Sequence, residues 1–432
     1  MISTHSVSRN GNATGTAGNV NLGLLVIALV AGCRTINSDY CDAHPHDVDC
    51  SQLGHGCQTD DDCAPIGSCD PSSNTCVECL ASADCTTAVP TCGNDHVCRG
   101  CIAQAECATA CLPDGTCGTD DQVAYVDPTG LDNATCALEA KCLTLTAALA
   151  TKRPYVKVDG KIKGTASIES RTVTLLGDGE ARLVAATGPI LAVSGTSDLT
   201  IDGVGIGDVA DIGIDQGGGT IHLHAVEVSR CGGIAIRSNG GSLIVESSQI
   251  VDNAALGILA GGKLVVSRSM IARNAGGGVQ ALNARSVAIT NNFIVRNGPN
   301  QIGGLKLDVT ATAMAELDYN TIVDNMLTSG GAGGVACTGP LNARYNLIAS
   351  NQLGGSKTAS GAQLTGTCTF GSSTVRADVT GLLVDPTTYR PLPGSPLIDA
   401  IGTSSVPIVI DYDGDMRPTG SGSDIGADEV VP

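Results

Sequence analysis

The chain has 432 residues, more than one ordinary domain needs. It holds no Trp, two Phe and seven Tyr against 56 Gly, so its interior is to be filled by small aliphatic side chains rather than aromatic rings. A net charge of −19 excludes nucleic acid as the main partner, because phosphate binding needs a basic footprint.

Leu22 to Ala31 is an apolar run too short to cross a bilayer, which takes about 20 residues, and it fits the core of a signal peptide. Val30-Ala31-Gly32-Cys33 follows and resembles a bacterial lipobox, so residues 1–33 read as a signal peptide with Cys33 as the lipidated first residue of the mature chain. The segment ahead of the run departs from that pattern in having Arg9 as its one Lys or Arg. The alternative is ordinary cleavage near Ala31, with Cys33 in a disulfide. For a Gram-negative lipoprotein, Arg34 in place of Asp implies sorting to the outer membrane.

Residues 34–56 read as a linker. Fourteen of the 20 Cys lie between Cys41 and Cys117, a density that marks an oxidising compartment. Within 57–118 a unit of about 22 residues recurs, with Cys at 57, 63, 69, 76, then 79, 85, 92, 98, then 101, 107, 111, 117. The joins Cys76-Val-Glu-Cys79 and Cys98-Arg-Gly-Cys101 suggest zinc, but the export signal, the even count and the wider spacings inside each unit favour disulfides. A unit this small needs staples.

The second domain spans 122–432 and opens on Tyr125-Val-Asp-Pro-Thr-Gly130. Cys136 and Cys142 form one local pair. Leu145, Ala148 and Leu149 have helical spacing and predict a short amphipathic helix that plugs the N-terminal end of a repeat array. The array is marked by a recurring phrase: Val228-Ser-Arg-Cys231, Ile250-Val-Asp-Asn253, Ile271-Ala-Arg-Asn274, Ile294-Val-Arg-Asn297, Ile322-Val-Asp-Asn325 and Ile348-Ala-Ser-Asn351. From Asn253 on, the first four spacings are 21, 23, 28 and 26 residues, and a Gly-aliphatic pair comes after most phrases. This drifting period predicts an all-β parallel β-helix, with roughly ten rungs from about Val156 to Val379 and a length of about 45–50 Å. Asn is assigned to the left-handed position of a sharp turn, with its amide free to hydrogen-bond along the column. Cys231 takes the Asn slot as a buried free thiol, and Cys337 and Cys368 are placed to pair across neighbouring rungs.

Three elements carry a resemblance to exported right-handed β-helix proteins of the pectin-lyase-like superfamily. They are the opening segment from Ala124 with its Cys pair and helix, the rung phrase, and the tail. The tail reads Tyr389-Arg-Pro-Leu-Pro-Gly-Ser-Pro-Leu-Ile-Asp399, Asp411-Tyr-Asp-Gly-Asp-Met-Arg-Pro418 and Asp424-Ile-Gly-Ala-Asp-Glu429. The resemblance covers about 122–432, with the tail as a C-terminal cap from about 381. It implies a right-handed coil and admits polysaccharide lyases, hydrolases, adhesins and members without known activity.

Lyase chemistry on this fold needs a carboxylate cluster for Ca²⁺ beside a Lys or Arg base, and glycoside hydrolysis needs paired carboxylates. The hydrolase blocks of the family are absent. Asp202, Asp208, Asp211 and Asp215 cluster on early rungs, where a Ca²⁺ site competes with solvated turn residues. His222 and His224 share one strand face, either as the start of a metal site or as the polar side opposite Ile221 and Leu223. Asp411, Asp413 and Asp415 resemble the first ligands of a Ca²⁺ loop but lack its Gly and Glu. Alternatively, with Arg417 and Asp424, they tie down the tail. Residues 221–310 carry two Lys and six Arg against four acids, +4 in a chain of −19. The residue before the Asn slot forms a column, Arg230, Asp252, Arg273, Arg296 and Asp324, whose opposite charges are expected to pair across rungs; alternatively, Arg268, Arg273, Arg285 and Arg296 form a strip for an acidic glycan.

The expected protein is therefore a cell-surface lipoprotein whose β-helix is a non-catalytic binding or structural module, with acidic polysaccharide or a surface protein as partner. It is expected to need no cofactor, Ca²⁺ apart. The alternatives are a polysaccharide lyase or glycoside hydrolase acting on acidic glycans, and a self-associating envelope component or adhesin.

Overall fold

The computed structural model describes residues 57–65, 67–402 and 408–431, without the side chains of 311–314. The signal-peptide, Cys33 and linker readings lie outside the described residues. Among those described, no helix is long and apolar enough to cross a membrane.

The chain divides into two compact units, one ending at Leu80 and one beginning at Ala81. The division falls inside the cysteine-rich region, after its first repeat. That repeat is closed by Cys57–Cys69 and Cys63–Cys76 around the short hairpin of Ser68–Asp70 and Thr75–Val77. In the later repeats, Cys85–Cys98, Cys101–Cys111 and Cys107–Cys117 are joined. The linkage is thus first-to-third or second-to-fourth within a unit, and the Cys-x-x-Cys joins hold no zinc geometry because their sulfurs are spent on bridges. Ala110 and Leu112 of the third repeat pack on Val123, Tyr125 and Leu176, so this repeat is part of the β-helical unit rather than a stalk ahead of it.

The rest of that unit is a right-handed parallel β-solenoid with three sheets. The first, A, stacks eleven strands from Val123–Val126 to Thr369–Gly371. The second, B, stacks ten, ending at Thr374–Arg376. The third, C, stacks nine from Ala166–Glu169 to Leu364–Gly366, which sets the number of complete turns. The coil begins one strand earlier than the sequence pattern suggested, because Val123–Val126 pairs directly with Tyr155–Lys163. Alternation places Leu243 and Val245 inward and Ile244 and Glu246 outward, and the inward columns of Ile, Leu and Val form one continuous core. Helix α1, Leu145–Ala150, is capped by Thr144, whose hydroxyl accepts the Ala147 N–H, and it closes the N-terminal end with Leu145, Ala148 and Leu149. Cys136–Cys142 and Cys337–Cys368 are joined, and Cys231 is free and buried.

Asn does occupy the corner after sheet B, but not in the left-handed conformation assigned to it. The residue before it takes that conformation: Asp208, Arg230, Asp252, Arg273, Arg296, Asp324 and Ser350 have φ between +54° and +59°. Each non-Gly residue there costs about 1 kcal/mol. The strain turns the next side chain inward, where its amide joins a ladder. Asn253, Asn274, Asn297 and Asn325 each donate an Nδ2–H to the Oδ1 of the next Asn, ending at Asn351, at 2.8–3.0 Å. Backbone N–H groups bond to the same oxygens, and the Cys231 N–H starts the series on Asn253. A second ladder runs through Ser248, Ser269, Asn292, Asn320, Asn346 and Ser373 at the corner between sheets A and B.

The described part of the tail lies along the flank rather than over the C-terminal end. Leu382, Val384, Tyr389, Leu397 and Ala427 pack on the outward side of sheet B, against Val251, Ala272, Val295, Val323 and Ala349. It is a strap along the flank, drawn there by apolar residues on the outer as well as the inner side of those strands.

Candidate functional site

The solenoid displays its charged residues on the outward face of each sheet and at the corners. They are mostly arranged as pairs one turn apart. Arg230 grips Asp208 with two bonds, at 2.6 and 3.2 Å, and Arg273 grips Asp252 at 2.7 and 2.8 Å. Arg237 does the same to Asp215 on sheet C, and Arg344 to Asp318 on sheet A. Arg268 meets Glu246 at 2.6 Å, and His224 Nδ1 meets Asp202 at 2.8 Å. In every case the acid lies one turn before its partner, so stacking brings them face to face.

At four carboxylates such contacts favour the ionised form. The bond from Arg230, with Arg182 and Lys161 nearby, holds Asp208 well below the usual carboxylate range. Ser229 and Arg182 lower Glu227, and Arg273 lowers Asp252. Burial opposes the shift at Glu246, but Arg268 and His222 together keep it low. A general acid for glycosidic cleavage needs the opposite, a carboxyl held protonated near neutral pH. The carboxyls that burial pushes upward are Asp424, Asp428 and Glu429, all enclosed in the strap.

The four arginines of the expected glycan strip do not converge. Arg268 stands at the corner between sheets A and B, Arg273 and Arg296 at the corner after sheet B, and Arg285 between sheets C and A. Arg268 and Arg273 are held by acids. Arg296 donates to the Tyr389 hydroxyl at 2.6 Å and to the Pro386 carbonyl at 3.0 Å. Arg285 is exposed, and among the described residues it has no ion pair. Lys263 and Lys306, on the strands before and after it, are likewise without one. Sequence reasoning passed over both lysines, although Lys263 has no acid within ten residues; Lys306 has Asp308 two residues on along the same strand.

The early-rung aspartates are also dispersed, with Asp202 on sheet A, Asp208 after sheet B and Asp215 on sheet C. His222 faces outward and lies 3.4 Å from Glu246, with Ile221 and Leu223 buried beneath. Tyr319 and Tyr345 are buried under the strap, their rings 4.9 Å apart, and so are covered rather than presented to a sugar.

Asp411 is buried and caps a turn, accepting the N–H groups of Asp413, Asp415 and Glu429. The carboxylates that gather are Asp411, Asp413 and Asp428, without Asp415. Arg390 pairs with both Asp413 and Asp428, supplying the positive charge a cation would bring. Arg417, also buried, pairs with Glu429 at 2.8 Å, donates to the carbonyls of Asp424 and Gly426, and lies 4.5 Å from the centre of the Tyr319 ring. The acids of the tail and these two arginines tie the strap to itself, and Arg417 also meets the solenoid at Tyr319.

Comparison with known proteins gives three findings. Among solved structures, the chain is similar to one titled crystal structure of pectate lyase Pel9A, at 16% identity and a TM-score of 0.49, covering 71% of this chain and 96% of that one. No curated protein matches it. Residues 190–379 match the family model described as right handed beta helix region, a span that takes in most of the regular turns of the solenoid.

Proposed function

We propose that this protein is exported and lipid-anchored at the cell surface through Cys33, and that its β-helix is a non-catalytic module that binds acidic polysaccharide. The observation that carries the non-catalytic reading is the pairing of outward carboxylates with Arg, Lys or His. A carboxylate gripped from the neighbouring turn is a poor proton donor and a weakened base. Structural acids are expected to be neutralised in this way, whereas a reacting carboxylate has to remain available.

The binding surface is assigned to the corner between sheets C and A that carries Lys263 and Arg285, which adjoin one turn apart and have no ion pair among the described residues. Carboxylated or sulfated sugars match these donors. The oxidised full-length chain is expected to co-sediment with an acidic polysaccharide at low salt, and binding is expected to fall steeply with added salt. Lys263→Glu with Arg285→Glu should abolish it, and Arg273→Ala should leave it intact. Loss on Arg273→Ala without loss on the first pair would refute the assignment. Lipid attachment is tested separately by intact-mass analysis of the exported protein with and without Cys33→Ala.

A further inference from the structure

The two ends of the solenoid are finished differently. At the N-terminal end, the strand Val123–Val126 has its outer edge occupied. Tyr125 donates to the Cys136 carbonyl at 2.8 Å, Cys142 donates to the Tyr125 carbonyl at 2.9 Å, and Asp127 donates to the Cys142 carbonyl at 2.9 Å. The Cys136–Cys142 bridge fixes that loop, and α1 covers the core behind it. At the C-terminal end, Leu364–Gly366, Thr369–Gly371 and Thr374–Arg376 each pair on one side only. Among the described residues nothing pairs with their other edge. The Thr374 N–H goes to Asn346, so by the alternation of a parallel ladder the N–H and C=O of Val375 point out of the end. The core columns finish on Leu364, Phe370 and Val375, which are only partly covered, with Val375 37% exposed.

Unpaired strand edges are usually guarded by charge, Pro, a bulge or a covering segment. This edge has little of that. Residues 358–376 contain no Pro and a single charged side chain, Arg376, and the strap that could have covered the end lies along sheet B instead.

We propose that this last turn is a docking surface for a second copy of the same chain, joined end to end about a two-fold axis. At the N-terminal end the sheet A edge is occupied and α1 covers the core, which disfavours head-to-tail stacking; copies meeting through the open edge present the same surface to each other, which closes at a dimer. Charge points the same way. A chain of −19 repels its copies, and the stretch 358–376 contains no acid at all. The last turn, residues 352–376, supplies 25 residues, within the roughly 20–30 that each side of a standard interface contributes. Antiparallel pairing between the two edges would satisfy the outward N–H and C=O groups and bury Phe370 and Val375 beneath their counterparts.

The test is the mass of the oxidised full-length chain in solution by sedimentation velocity across a wide concentration range, with a non-reducing gel to exclude intermolecular disulfides. A reversible dimer is expected. Val375→Pro removes a donor facing the open edge, and Thr369→Lys sets like charges against each other from an exposed position. Each should raise the dimer dissociation constant about tenfold or more while leaving the circular dichroism of the fold unchanged. A chain that stays monomeric at every concentration overturns the proposal, and so does a dimer that both variants leave unaltered.

Discussion

Replacing Asn297 by Ala tests whether the buried amide ladder holds the turns together. Asn297 Oδ1 accepts both the N–H and an Nδ2–H of Asn274, at 3.1 and 3.0 Å, and its own amide donates to the Ile271 carbonyl at 2.8 Å and to Asn325 at 2.9 Å. Alanine removes all four bonds. Asn274 Nδ2 keeps its bond to the Ile250 carbonyl, and Asn325 Oδ1 keeps the backbone N–H of residue 297. The Asn274 N–H loses its partner in a site closed to water, while the Ile271 carbonyl keeps its ladder bond to the next turn. At about 1–3 kcal/mol for the stranded group and about 1 kcal/mol for each of the other lost bonds, the expected cost is roughly 3–5 kcal/mol. The fall in thermal midpoint should then be roughly 5–8 °C for a unit of this size. Contacts in a solenoid run between neighbouring turns, so hydrogen exchange should rise most around Asn274 and Asn325 and little near Val173. A loss below about 1 kcal/mol, or protection falling evenly along the chain, would refute the reasoning.

Three further outcomes rest on the same contacts. Arg417→Met leaves Glu429 buried without its partner, at a cost of about 3–5 kcal/mol; limited proteolysis should then cut within 382–429 first, and Arg417→Met combined with Glu429→Gln should be milder than the single change. Burial, with Asp411 and Asp413 close by, outweighs the attraction of Arg390 and pushes Asp428 up to about 7. The folded chain therefore holds that proton where the unfolded chain has released it, and the contribution is full below the unfolded value of about 4 and lost as pH rises through 7. Strap protection should accordingly decline between those values in the parent and less in Asp428→Asn, as read by hydrogen exchange; an unchanged slope would contradict this. Burial also pushes the Cys231 thiol up to about 11, so an alkylating reagent at neutral pH should modify it only after unfolding, as seen by intact mass.

Much of the fold was legible because one physical device repeats. A β-branched residue with Asn three positions later marks a strand ending in a corner, and stacking requires the mark to recur. The second ladder was overlooked because Ser248, Ser269 and Ser373 stand in for Asn at three of its steps, although Asn292, Asn320 and Asn346 keep the spacing of Asn297, Asn325 and Asn351. The left-handed residue was placed one position late. Asn favours that conformation when free, but here its amide is needed inside, and the preceding residue takes the strain whatever its type.

The charge pairs were also present in the chain. Asp208 and Arg230, Asp215 and Arg237, Glu246 and Arg268, Asp252 and Arg273, and Asp318 and Arg344 are 21–26 residues apart, one period in each case. At the corner after sheet B the sequence already implied this pairing, and Arg273 with Asp252 bears it out; on sheets A and C the charges had not been placed on their turns. The strap had a signal too. Ile250-Val251, Ile271-Ala272, Ile294-Val295, Ile322-Val323 and Ile348-Ala349 set two apolar residues side by side, so one of each pair must face out. An outward apolar row needs a cover. That the tail provides it depends on distant contacts such as Tyr389 with Asp324 and Arg417 with Asn291, which no local pattern encodes.

The most direct test of the central claim is turnover. The oxidised full-length chain, supplied with a panel of acidic polysaccharides with and without Ca²⁺, is followed for new reducing ends and unsaturated products while binding is measured on the same samples. The account predicts binding without product under every condition. Product formation, above all if it is lost on chelation or in Asp208→Asn, would contradict it and make one of these paired carboxylates a reacting group.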